Sequence, residues 1–276
     1  MKRKLAIISS IIAVLLILFL VLNYKPEIRA YASQPEIHGK YGISIDAKTG
    51  EILYGKNDND AAAPASLTKM MTALLLLEKV KPDEEITITR HALDTESHTS
   101  KITLHPGEKL KRDEALKLML VISVDPVAES IAEHISGSTD KFAKLMNKRA
   151  KELGAKQTSF LNASGKDALM HKLSAHDLAL ITQAAIQHPE VLQCMNTVTT
   201  TVHTSLQQKK ISNFGRKDLY NDPYAIGSKS GRTMLSGYTL VTIDEKDGRR
   251  VINVVFKSDL DHLYDDAKIM ADYAFK

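Results

Sequence analysis

The chain has 276 residues, 43% apolar and 25% charged, a composition that excludes a disordered or fibrous protein and allows one large domain or two small ones, each with a core. Residues 1–32 hold five basic side chains (Lys2, Arg3, Lys4, Lys25, Arg29) and one acidic (Glu27), a net +4 that equals the +4 of the whole chain, so residues 33–276 are neutral and offer no basic face for nucleic acid. Cys194 is the single cysteine, which excludes an internal disulfide.

In chain order, Lys2, Arg3 and Lys4 precede eighteen uncharged residues, 5–22, about the length that crosses a bilayer. Residues 1–24 therefore read as an N-terminal membrane anchor or a signal peptide. The basic flank places the N-terminus in the cytoplasm and the rest outside. Ala30-Tyr31-Ala32 resembles a cleavage site, which would release the domain. Either way the domain is exported, to the extracytoplasmic face of a bacterial cell membrane or into the medium. Residues 25–37, polar and carrying Pro26 and Pro35, read as a linker. Residues 41–57 alternate apolar and polar around Lys48-Thr49-Gly50, a β-hairpin pattern. Pro64 then signals the start of a strongly apolar helix, LTKMMTALLLLEKV. Residues 84–110 are mixed, with strand-like EITIT and KITL and a turn at Pro106-Gly107. The helix over 111–135 is interrupted at Ser123, Asp125 and Pro126. Further helices are predicted near 138–153 and 174–187, strands at TVHTSL and across 236–257 with a turn at Lys246-Asp247-Gly248, and an amphipathic helix over 260–275. Strands at both ends with helices between predict an α+β fold: an antiparallel sheet built from both chain ends, flanked by helices, plus an all-helical subdomain.

Three short motifs could carry chemistry. Ser66-Leu67-Thr68-Lys69 puts a hydroxyl and an amine three residues apart, on one helix face. Serine is a poor nucleophile until a base takes its proton, and a lysine in an apolar helix can be that base. The helix N-terminus adds N–H groups for a developing oxyanion. Ser138 and Lys141 share the same spacing but lie in a polar turn, where a capping serine and a solvated lysine are the plainer reading. In Lys229-Ser230-Gly231 the glycine would let a ligand approach a strand closely, and the cation and hydroxyl would bind a carboxylate; a lysine blunting a sheet edge is the alternative. At the interruption, Asp125 reads as an N-cap and Pro126 as the first helical residue. The first helix then ends near Ser123, whose hydroxyl would project from a loop; a plain kink is the alternative.

The three motifs occur in one order, Ser123 standing 57 residues after Ser66 and Lys229 106 residues after Ser123. Together they resemble the penicillin-recognising serine enzymes, with their Ser-x-x-Lys, Ser-x-Asn and Lys-Thr/Ser-Gly pattern. PASLTKMMTALLLLE, DAKTGEILYGKN, AESIAEHISGS, ELGAKQTSFLNASG and LSAHDLALI narrow this to the D-alanyl-D-alanine carboxypeptidases, over residues 38–276. The resemblance implies a serine-type D,D-peptidase that trims the terminal D-Ala of peptidoglycan stem pentapeptides through an acyl-enzyme, uses no cofactor or metal, and is acylated by β-lactams. Ser66 would be the nucleophile, Lys69 the base, and Ser123 the relay of a proton to the leaving amine. Lys229, Ser230 and Gly231 would bind the substrate carboxylate, with Arg232 and Thr233 continuing that stretch. The N–H groups of Ser66 and Arg232 would form the oxyanion hole. Ser66, Ser123 and Lys229 would meet where the sheet joins the helical subdomain.

Three departures stand out. Asp125 replaces the family's Asn as a substrate-binding residue; a carboxylate accepts but cannot donate, and its charge favours the protonated form of Lys69. The arginine that relatives often carry before the last helix is missing from SDLDHLYDD, leaving Arg232 as a substitute. The β-rich C-terminal domain of many relatives is not expected, so a membrane link would be N-terminal. A class A β-lactamase would need a Glu-x-x-Leu-Asn segment after the second motif, and none occurs. A catalytically weakened peptidoglycan-binding relative is the other competing reading. No G-x-S-x-G or H-E-x-x-H is present, which argues against a classical triad hydrolase and a zinc peptidase.

Overall fold

A computed structural model describes residues 34–96, 102–213 and 222–276, together with Val14. The apolar run 5–22, apart from Val14, and the cleavage-like Ala30-Tyr31-Ala32 lie outside these residues. Among the described residues no helix is long and apolar enough to cross a membrane. Residues Ile37–Lys276 form one compact unit.

The hairpin predicted at the start is β1 (Tyr41–Asp46) and β2 (Ile52–Lys56). Its turn is fixed by the Asp46 carboxylate, which accepts from the Lys48 and Thr49 N–H groups at 3.0 Å. The C-terminal strands are β9 (Ala225–Thr233), β10 (Gly237–Lys246) and β11 (Arg249–Ser258). β10 and β11 join through Asp247 and Gly248, both at positive φ, the geometry that matches strand twist in a two-residue loop. The central sheet runs β2-β1-β11-β10-β9, every pair antiparallel, so the two ends of the domain pair in its middle. β9 is left as an edge strand.

Helices cover both faces. On one side lies α1 (Lys69–Lys79), preceded by a 3-10 turn at Ala65–Thr68. Lys69 to Leu77 are all buried, which explains the unbroken apolar run in this segment. Around α1 pack α3 (Arg112–Val121), α4 (Asp125–Ser136), α5 (Thr139–Glu152) and α6 (Ala175–Ala185), following the short α2 (Arg90–Thr95). α7 (Pro189–Asn196) packs on β9. On the other sheet face, α8 (Leu263–Ala274) covers a smaller apolar cluster with Ile37, Tyr54, Leu240, Val255 and Met270. Short pairs complete the chain: β3 (Ala61–Ala62) with β6 (Leu173–Ser174), β4 (Glu85–Thr87) with β5 (Lys109–Lys111), and β7 (Thr199–His203) with β8 (Gln208–Ser212).

Several local expectations are corrected. Ile102 to Leu104 of KITL are not a strand; β4 pairs instead with Lys109–Lys111, beyond the Pro106-Gly107 turn. The helices α2 and α7, six and eight residues long, are additions; both are too short for a periodic signal. Ser138 caps α5 by accepting from the Lys141 N–H, so that Ser-x-x-Lys pair is structural, as its polar context suggested.

The last helix is tied to the first strand by Asp266. Its buried carboxylate accepts from His38 N–H at 2.6 Å, Gly39 N–H at 2.8 Å and Ser258 Oγ at 2.7 Å. Asp266→Ala leaves these donors unpaired and should lower unfolding free energy by about 1–3 kcal/mol. Urea denaturation of both proteins checks this; an unchanged midpoint would refute it.

Candidate active site

Three parts of the chain converge at the end of β9. The first is the 3-10 turn carrying Ser66. Pro64 leads into it, and the Pro64 carbonyl accepts from Thr239 Oγ1 of β10 at 3.2 Å, which pins the turn to the sheet. Ala65 takes positive φ (51°) to make the approach. One turn on, Lys69 is fully buried, and its Nζ lies 3.0 Å from Ser66 Oγ.

The second part is the interrupted helix. α3 ends at Val121, and Ser123 sits at φ 61°, in the left-handed region. This excursion turns the chain between helices and brings Ser123 Oγ to 3.0 Å from Lys229 Nζ. α4 then begins at Asp125, with Pro126 in its first turn. Here the capping expectation fails: Val124 occupies the N-cap, and Asp125 makes no side-chain cap bond. Its Oδ1 accepts instead from Lys69 Nζ at 2.6 Å. A buried ammonium attracts the carboxylate more strongly than backbone N–H groups do.

The third part is β9. Lys229 is buried and also donates to the Ser230 carbonyl at 2.7 Å. A Cβ on Gly231 would stand 2.9 Å from Ser66 N and 3.0 Å from Ala65 Cβ, so glycine is what allows the strand and the Ser66 turn to touch. Arg232 is exposed, its guanidinium 5.0 Å from the ring centroid of Tyr238, its partner across the β9–β10 ladder. Thr233 donates through both N–H and Oγ1 to Ser236 Oγ at 2.9 Å, within the turn that follows β9.

A fourth element was not singled out from the motifs. The segment 161–165 lies against α1 and accepts its polar side chains: Lys69 Nζ reaches the Ser164 carbonyl at 2.6 Å, and Thr72 Oγ1 the Ala163 carbonyl at 2.7 Å. Asn162 folds this turn by accepting from the Gly165 N–H at 2.8 Å. Gly165 has φ 93°, and a Cβ there would fall 1.8 Å from the Ala65 carbonyl oxygen, so no other residue fits. Ser164 Oγ donates to buried Glu96 at 3.0 Å. Burial pushes the Glu96 carboxyl above the usual range; the Ser164 hydroxyl opposes this, and the Asp125 charge adds to it. The stretch NASG carried a turn signal in Asn and Gly, but nothing in it announced that a backbone carbonyl would serve Lys69.

An ammonium has three N–H donors. All three of Lys69 have acceptors here: Ser66 Oγ, Asp125 Oδ1 and the Ser164 carbonyl. The arrangement holds the lysine nitrogen beside the serine hydroxyl.

A serine within hydrogen-bond reach of a lysine three residues on, faced by a second serine–lysine pair at a sheet edge, belongs to the penicillin-recognising serine enzymes. The family model described as D-alanyl-D-alanine carboxypeptidase (peptidase family S11) matches residues 28–259, and the chain belongs to this family. It is 33% identical over 262 residues to the D-alanyl-D-alanine carboxypeptidase DacF of Bacillus subtilis, across 93% of this chain and 66% of the relative. It is 29% identical over 270 residues to DacD of Escherichia coli, across 94% and 68%. The chain thus spans about two thirds of the length of these relatives. Among solved structures it resembles the Streptomyces K15 DD-transpeptidase (25% identity, TM-score 0.81, 88% of this chain and 99% of that one). It also resembles a D-alanyl-D-alanine carboxypeptidase of Mycobacterium tuberculosis (25% identity, TM-score 0.80, 88% and 92%).

His171 braces α1 from the far side of the segment 161–165. Its Nδ1 accepts from the Leu161 N–H at 2.9 Å, which leaves the proton on Nε2 for Thr68 Oγ1 at 2.8 Å. Burial pushes its pKa down to about 4 from 6.5. Below pH 6.5 the unfolded chain takes the proton first, so the stability tied to neutral His171 is complete above pH 6.5 and is lost as pH falls toward 4. The stability advantage of wild type over His171→Gln should shrink by about 3 kcal/mol across that window. Denaturant unfolding of both proteins at each pH checks it, and a pH-independent difference would contradict it.

Proposed function

We propose that this chain is a serine-type D,D-carboxypeptidase that removes the terminal D-Ala from peptidoglycan stem pentapeptides outside the cell membrane, and that β-lactams acylate it. The observation that carries the reading is the pair of short contacts Lys69 Nζ–Ser66 Oγ and Lys229 Nζ–Ser123 Oγ, both 3.0 Å, on either side of one strand edge. A peptide can add to β9 as a further strand, because among the described residues only β10 pairs with it. Its terminal carboxylate would meet Lys229, with Ser230 as a further donor, Thr233 once its hydroxyl turns from Ser236, and Arg232 at the rim. The penultimate carbonyl carbon would then face Ser66.

In acylation, Lys69 Nζ takes the Ser66 hydroxyl proton as Oγ bonds the carbonyl carbon. The oxyanion is met by the N–H groups of Ser66 and Arg232. The C–N bond breaks as the proton that Lys69 took is relayed through Ser123 to the departing D-Ala amine, which leaves Lys69 neutral again. Water then attacks the ester carbonyl, Lys69 taking its proton and returning it to Ser66 Oγ as the acyl C–O bond breaks, which releases the shortened peptide. Asp125 aligns Lys69 but, as a carboxylate, cannot donate to the substrate. This one residue supports a second reading, a weakened enzyme that binds peptidoglycan and turns over slowly. The N-terminal segment 5–22 would hold the domain at the membrane, unless cleavage near Ala32 releases it.

Fluorescent penicillin should label the protein on a denaturing gel, and Ser66→Ala should lose all labelling while still melting cooperatively as a folded protein. A folded wild type that takes no label would discard the acyl-enzyme reading. Asp125→Asn should raise the rate of D-Ala release from a D-Ala-D-Ala peptide by roughly tenfold, the worth of one added hydrogen bond, since an amide can donate to the substrate while still accepting from Lys69. An equal or lower rate would show that the carboxylate serves turnover.

A further inference from the structure

A second group of titratable side chains lies between α2 and α4, on residues the mechanism does not use. Glu129 and Glu133 stand at i and i+4 on α4 and so share a face. His91 comes from α2, and its Nδ1 lies 2.6 Å from Glu133 Oε1. Each of the three residues offers one ligand atom, and these atoms lie within 4.8 Å of one another.

Glu129 is the unusual member. It is 1% exposed. Its Oε1 takes the hydroxyl of Thr139, at the start of α5. Its Oε2 is buried with no hydrogen-bond partner among the described residues. Burial pushes its carboxyl up to about 7, and the charges of Glu96 and Glu133 add to this while His91 and Lys166 oppose it. An orphaned buried carboxylate oxygen beside a second carboxylate destabilises the fold unless a proton or a cation offsets it. A dication would neutralise both carboxylates at once.

The donor set selects among cations. Calcium and magnesium prefer shells made entirely of oxygen. One imidazole nitrogen with two carboxylate oxygens suits zinc and its neighbours, which also accept a solvent molecule as the remaining ligand. The His91 side chain is 58% exposed, so solvent can reach that open position.

We propose that His91, Glu129 and Glu133 form a structural binding site for a zinc-class divalent cation that clamps α2 to α4. The clamp lies one step from the catalytic lysine. α2 ends at Thr95, the next residue is Glu96, and Glu96 holds the Ser164 hydroxyl while the Ser164 carbonyl holds Lys69. The cation would steady this chain of contacts without touching Ser66.

The test is calorimetric titration of the chelator-treated full chain with zinc chloride, with a melting curve at each end point. Wild type should bind one equivalent at this site, and its melting temperature should rise by about 5–10 °C when zinc stands a hundredfold above Kd. His91→Ala changes an exposed residue, and Glu129→Gln keeps the shape of the side chain. Each should weaken that equivalent at least tenfold, and Glu129→Gln should melt, without zinc, no lower than wild type. His38, Asp259 and His262 also bring ligand atoms together, so His262→Ala serves as the control and should leave the equivalent in place. No zinc binding by wild type would overturn the proposal, as would an equivalent that survives both His91→Ala and Glu129→Gln and disappears only in His262→Ala.

Discussion

The arrangement around Ser66 depends on one buried cation. Lys69 sits in a helix buried from Lys69 to Leu77 and has no exposed surface, a position a charge can hold only if it is fully hydrogen-bonded. Its three acceptors come from three places in the chain: the 3-10 turn at Ser66, the start of α4 at Asp125, and the carbonyl of Ser164. Satisfying that side chain therefore also fixes the relative positions of Ser66, the interrupted helix and the segment 161–165. Removing any one acceptor would leave a buried donor unmet, so structural and chemical roles at this point are inseparable.

The sheet provides the second fixed reference. Because β1 pairs with β11 and β10 carries β9, the strand that bears Lys229 is held by both ends of the domain. Thr239 then carries that frame to the Ser66 turn through the Pro64 carbonyl. Gly231 and Gly165 let two segments pass within contact distance of the same turn. The site is thus built where backbones approach one another, and its precision comes from close packing more than from any single strong bond.

Much of this was legible in the sequence because it follows from periodicity and turn chemistry. The hairpin at Lys48-Thr49-Gly50, the apolar α1 and the two-residue turn at Asp247-Gly248 each announce themselves locally, and strands at both ends of the chain imply the sheet that joins them. The three motifs placed Ser66, Lys69, Ser123 and Lys229, because the order of the motifs along the chain limits what they can form. The partner of Asp125 was not legible. An Asp before a Pro at a helix start has a sufficient local explanation as a cap, and only the tertiary structure reveals that a buried lysine outcompetes it. The roles of Ser164 and Glu96 were hidden for a related reason: one acts through a backbone carbonyl, which no side-chain identity encodes, and the other is a carboxylate whose significance lies in its burial. α2 and α7 are too short to show a period at all.

Ser123 occupies a left-handed backbone conformation that disfavours any side chain by about 1–2 kcal/mol and that glycine adopts freely. At this position, thermodynamic comfort and chemical competence pull in opposite directions. A population of variants screened only for heat resistance would drift toward glycine here, and would lose the hydroxyl that faces Lys229. Serine at this position holds a hydroxyl beside Lys229 against the preference of its own backbone.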